Sequence, residues 1–128
     1  MQLAIVILAV ENVERALAFY RLAFGWAPSV DTPVYAELEV DATLKVGLYE
    51  RAGFARNIGQ LPPPAAAGEV SRTELYFYVD SLPVAIASLE RAGARSLSPA
   101  QARPWGDVAA YFADPDGNIL VVASRQRR

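Results

Sequence analysis

From Ala4 to Val10 the chain is continuously apolar and largely β-branched, the pattern of a central strand covered on at least one face. The period then lengthens. Val13, Ala16, Leu17, Tyr20 and Phe24 recur at helical spacing behind Asn12, a good N-cap, and ahead of Gly25, which suits a left-handed C-cap. Pro28 and Pro33 bracket a short irregular strand or loop. Tyr35 to Val40 alternates with period two, so Ala36, Leu38 and Val40 share one face and Tyr35, Glu37 and Glu39 the other. A turn at Asp41-Ala42 leads to a partner strand from Leu44 to Tyr49.

The second half repeats this order. Thr73 to Val79 reads as a strand, and Ser81 caps a helix carrying Leu82, Ala85, Ile86 and Leu89, with Pro83 in its first turn and Gly93 at its end. Ala94 to Pro104 reads as a strand broken by Pro99. Val108 to Ala113 and Ile119 to Ala123 are strands joined through Asp114-Pro115-Asp116-Gly117-Asn118, where proline presets φ and glycine supplies φ > 0. That turn chemistry assigns Asp114, Asp116, Gly117 and Asn118 a structural role.

The halves also repeat in letters. Val10-Glu11-Asn12-Val13 followed by Ala16-Leu17-Ala18 returns as Val79-Asp80-Ser81-Leu82 followed by Ala85-Ile86-Ala87, an offset of 79 − 10 = 69. Residues 1–60 are therefore expected to form one βαβββ module, 61–72 a linker and 73–128 a second module. The stretch Arg51 to Gly68, with Gly53, Gly59 and Pro62-Pro63-Pro64, is expected to be an extended joint. The fold class is α+β.

Composition narrows the function classes. At 128 residues the chain makes one domain, or two half-domains sharing a core. A net charge of −2, from 12 basic and 14 acidic residues, gives no field that would steer it to nucleic acid. The basic Arg125-Gln126-Arg127-Arg128 reads as a frayed tail. No cysteine is present, which excludes disulfides, thiol nucleophiles and iron–sulfur clusters; no histidine is present either, which removes the commonest ligand of first-row metals. The apolar start lacks a basic region and a cleavage site and is too short to span a bilayer, so a cytoplasmic address with no membrane partner is expected.

Ala9 to Tyr20 with Phe24-Gly25, together with Trp105-Gly106 and Asp114-Pro115-Asp116-Gly117-Asn118, resembles the first and closing motifs of the vicinal oxygen chelate superfamily. That group includes glyoxalase I, extradiol dioxygenases, fosfomycin-resistance enzymes and bleomycin-resistance proteins. The resemblance implies two βαβββ modules forming a cup-shaped sheet, the glyoxalase/bleomycin-resistance fold, and a homodimer. In its metal-dependent branch, ligands project from the first and last strands of each module. By resemblance those positions fall on Ile5, Glu74 and Val121, with the fourth among Lys45, Val46 and Gly47. One carboxylate does not make such a site, so no metal and no cofactor are expected.

Period two then sends Tyr76 and Tyr78 to the side of Glu74, and Leu75, Phe77 and Val79 toward the helix. A cup lined by Ile5, Tyr35, Glu37, Glu39, Tyr76, Tyr78, Trp105 and Val121 is aromatic and acidic, suited to a planar or cationic small molecule. Trp105 either stacks on a ligand or plugs the sheet end, and Trp26 reads as packing or dimer surface. Glu37 and Glu39 are either ligand contacts or the solvent face of an edge strand. Glu74 binds a ligand amine, pairs with Arg72 or Arg103, or serves as a general base. The expected function is metal-independent binding or sequestration of an aromatic or cationic compound. The alternative is a glyoxalase-type lyase, isomerase or dioxygenase using Glu74 as base or a metal with other ligands.

Overall fold

The computed structural model of the chain describes residues 1–126; Arg127 and Arg128, part of the expected tail, lie outside the described residues. Two compact units are present, one of residues 1–21 with 25–64, the other of residues 22–24 with the chain from Ala65 onward. Each is built on a four-stranded sheet of the same topology.

In the first unit the order is β1 (Ile5–Val10), α1 (Val13–Phe24), β2 (Ala27–Asp31), β3 (Tyr35–Glu39), β4 (Lys45–Glu50) and α2 (Arg51–Ile58). The sheet runs β1-β4-β3-β2, with β1 parallel to β4 and the other pairs antiparallel. Helix α1 starts where the sequence placed it: the Asn12 side chain accepts from the Arg15 N–H at 2.8 Å. It ends on Gly25, whose φ of 72° returns its N–H to the Arg21 carbonyl. The buried stripe is Val13, Ala16, Leu17 and Tyr20, continued on the sheet by Val10, Leu38, Val46 and Leu48.

In the second unit the order is β5 (Glu74–Tyr78), α3 (Leu82–Arg91), β6 (Arg95–Ala102), β7 (Asp107–Ala113) and β8 (Ile119–Arg125). The sheet runs β5-β8-β7-β6, again with one parallel pair, β5 with β8. Ser81 caps α3 by accepting from the Val84 N–H. The β7–β8 turn is closed by Asp114, which accepts from the N–H groups of Asp116 and Asn118, and by Gly117 at φ 82°. The role given to that turn from its letters is the role it has.

Two expectations are corrected. The joint is not extended throughout, because Arg51–Ile58 forms α2. Its first residue is anchored by Arg51 Nε donating to Glu11 and Nη1 donating to the Pro62 carbonyl. Gly53 lets the helix approach the Tyr49 ring, where any Cβ would collide. The proline run begins after the C-cap Gly59, so it stops this helix without preventing it. Likewise Pro99 does not break its strand. Strand β6 is continuous from Arg95 to Ala102, with register shifts at Ser96/Ser98 and Ser98/Gln101. It lies at the sheet edge, where a missing N–H leaves no partner unmet.

Candidate functional site

On one face of the second unit's sheet, Tyr76 and Tyr78 of β5 stand opposite Val121 and Ala123 of β8, and Ala123 stands opposite Ala109 of β7. Ala109 and Ala123 are small, so the tyrosine rings lean across β8 toward β7 and end on one carboxylate. Tyr76 Oη donates to Asp107 Oδ2 at 2.6 Å, and Tyr78 Oη donates to the same oxygen at 3.0 Å. Trp105, in the turn before β7, donates its indole N–H to Tyr76 Oη at 2.9 Å. The two tyrosine rings meet edge to face, with centroids 5.7 Å apart.

The outcome is an aromatic shelf over an anion. Asp107 is 5% exposed, whereas Trp105 and Tyr78 keep 57% and 51% of their surface in solvent. Burial, reinforced by the bond to Asp107, holds the Tyr76 phenol above its usual pKa. Val121 is fully buried, with Tyr76, Tyr111 and Ile119 packed against its cluster. The surface presented over it is therefore ring, not aliphatic side chain. Glu74 is exposed at the start of β5. Of the alternatives open to it, an ion pair with Arg72 or Arg103 is not formed among the described residues.

Arg103 instead lies over the Tyr111 ring, 4.7 Å from the centroid, and donates to Ser98 Oγ and to the carbonyls of Pro99 and Ala109. A second guanidinium, Arg125, lies over the Tyr78 ring at 4.0 Å. Asp107 escaped the sequence reading, and Arg125, expected there in a frayed tail, instead closes β8 opposite Asp107. A signal for Asp107 was available, since period two from Tyr111 through Ala109 puts it on the tyrosine face.

The first unit carries a smaller counterpart. Tyr35 Oη donates to Glu37 Oε2 at 2.6 Å, and Lys45 Nζ sits 3.2 Å from Glu37 Oε1. Glu37 is buried and is not a solvent-face residue, which corrects that alternative; Glu39 is exposed. The Tyr35 bond outweighs burial and, with Lys45, holds the Glu37 carboxyl below its usual range. Burial first, then Glu37, pushes the Tyr35 phenol well up. Ile5 presents a half-covered hydrocarbon. A separate open cleft of about 580 Å³ near the start of α1 is lined by Glu14, Asp31, Thr32 and Glu50 among others, and contains none of the candidate ligand-binding residues read from the sequence.

Strand register fixes the position left open in the first unit. Ile7 pairs with Gly47 and Tyr76 with Val121, and 76 − 7 = 69, so Gly47 is the counterpart of Val121. The four ligand-equivalent positions are thus Ile5, Gly47, Glu74 and Val121, one oxygen donor in four. Among the described residues no three Asp or Glu side chains converge. Divalent metal sites of this type take three or more nitrogen, oxygen or sulfur donors, and these residues do not fit one.

Comparison with known proteins agrees with the architecture. The glyoxalase-like domain family matches residues 3–126. A glyoxalase-related enzyme from Fulvimarina pelagi superposes with a TM-score of 0.84 at 26% identity, over 98% of this chain and 88% of that one. A glyoxalase/bleomycin resistance protein/dioxygenase family enzyme from Burkholderia phytofirmans PsJN gives 0.83 at 18%, over 98% and 100%. TioX from Micromonospora sp. ML1 gives 0.69 at 19%, over 98% and 100%. No curated protein matches the chain.

Proposed function

We propose a metal-independent binding function for this chain, which belongs to the glyoxalase-like domain family of the vicinal oxygen chelate superfamily. It binds, and by binding sequesters, a planar aromatic or cationic small molecule on the Trp105–Tyr76–Tyr78 shelf, as a homodimer. The observation that carries this reading is the shelf itself: two solvent-facing aromatic side chains, Trp105 and Tyr78, 57% and 51% exposed, the second bonded to a buried carboxylate and the first tied to it through Tyr76. Aromatic residues left exposed at a fixed position supply contact area with little ordering cost on binding. Sequestration requires affinity alone, so the shortage of metal donors is no obstacle to it.

The test is a fluorescence titration of the Trp26→Phe variant, in which Trp105 is the remaining indole. Trp26 stacks on Tyr20, 5.9 Å away, so phenylalanine keeps the packing. A saturable change with planar aromatic compounds at micromolar levels is expected, and calorimetric titration should show the same compounds bound several-fold more weakly by Trp105→Ala. No saturable response to any member of a broad aromatic panel overturns the reading.

A second reading, an enzyme with Glu74 as proton-abstracting base, has one specific support. The Fulvimarina pelagi protein is described as an enzyme. Turnover abolished by Glu74→Gln with binding retained would establish it.

A further inference from the structure

Counting protons on the shelf shows what it offers an incoming molecule. A phenol carries one O–H, and Tyr76 and Tyr78 both direct theirs to Asp107 Oδ2. The Trp105 N–H is likewise committed, to Tyr76 Oη. The polar rim of the shelf therefore presents oxygen lone pairs and no free donor. Beneath it lies an Asp107 carboxylate, 5% exposed, that forms no ion pair among the described residues. Above it lie ring faces, which carry negative quadrupole. Lone pairs, buried anion and ring faces all favour a cation that can donate hydrogen bonds.

The protein itself puts one there. Arg125 Cζ is 4.0 Å from the Tyr78 ring centroid. Its manner of attachment differs from that of Arg103, which stacks on Tyr111 but is also fixed by hydrogen bonds to Ser98, Pro99 and Ala109. Arg125 closes β8 opposite Asp107 of β7, and its exposed guanidinium makes no hydrogen bond or ion pair among the described residues in addition to the ring contact. The first guanidinium is tied to the framework by hydrogen bonds, whereas the second, brought beside the shelf by strand register, has the ring contact alone.

We infer that the Tyr78 face above Asp107 is a recognition site for planar cations of the aryl-amidinium or arylguanidinium class, and that Arg125 is its built-in occupant, displaced on binding. This rests on the shelf being the binding surface and adds the charge it selects. Arg125 lowers the affinity for every cationic ligand by the strength of its own contact, and so sets a threshold that weak cations fail to pass.

Calorimetric titration with benzamidine and with benzamide, its neutral near-isostere, tests this. Benzamidine is expected to bind at least tenfold more tightly. In Arg125→Ala, an exposed substitution that spares the fold, benzamidine should bind about two- to fivefold more tightly, as expected for removing one exposed cation–π competitor. Benzamide should change less. Tyr78→Phe, which keeps the ring and removes the hydroxyl, should narrow the benzamidine preference. Equal binding of the two probes overturns the charge selection while leaving the aromatic shelf standing. Unchanged or weaker benzamidine binding in Arg125→Ala overturns the role of Arg125. Binding of neither probe, with other aromatic compounds still bound, overturns the inference alone.

Discussion

At the scale of single residues, the charge on the Tyr35 face is compensated by its neighbours, and pH tests that compensation. Glu37 accepts from Tyr35 and faces Lys45, which lowers its pKa in the folded chain. A lowered carboxyl contributes stability that is fully present above its unfolded value and is lost as pH falls through the folded one. Hence the stability margin of wild type over Glu37→Gln, about 1–3 kcal/mol for a hydrogen-bonded charge, is expected at neutral pH and should shrink as pH falls below about 4. Urea denaturation at pH 7 and pH 3 measures it; a margin independent of pH would contradict the assignment. Whether Glu37 was buried could not be read from Tyr35-Ala36-Glu37-Leu38-Glu39, because alternation names faces and not their cover. Burial came from Tyr35, whose ring lies over Gly47 and whose hydroxyl tip meets Glu37.

Among the elements, strand pairing explains why glycine occupies position 47. A Cβ there would meet Tyr35 Oη at 2.5 Å and its Cε1 at 2.9 Å. The ring cannot yield without leaving Glu37, so Gly47→Ala is expected to cost about 1–3 kcal/mol. In a Tyr35→Ala background the same change should cost little or become stabilising, a coupling that a double-mutant cycle in urea detects. Strands and the first and third helices were legible from period and caps, since Asn12, Gly25 and Ser81 act locally. Helix α2 was not. Its short sequence, with Gly53 inside and prolines close behind, reads as irregular, and it forms because Arg51 and Gly53 find partners distant along the chain or across a ring.

At the scale of the whole molecule, a sequence repeat of 69 residues becomes two sheets of one topology, and the repeat carries the same two strand-face positions into each. Because those positions hold Ile5, Gly47, Glu74 and Val121, chelation should leave both the melting temperature and ligand titration unchanged. A saturating excess of nickel, zinc or manganese should not raise the melting temperature. A rise of several degrees, or stoichiometric metal in protein purified without chelator, would show that donors converge elsewhere. Among the described residues no helix is long and apolar enough to cross a membrane. The sequence alone settled the fold class, the repeat, the caps, the β7–β8 turn and the tyrosines of β5, because each depends on neighbours within a few positions or on a period. It did not reveal Asp107 as the carboxylate beneath those tyrosines, nor Arg125 over Tyr78, nor Gly47, paired with Ile7 as Val121 is with Tyr76, as the repeat counterpart of Val121. Those depend on which residues of separate strands stand opposite one another, and register is fixed only when the sheet assembles.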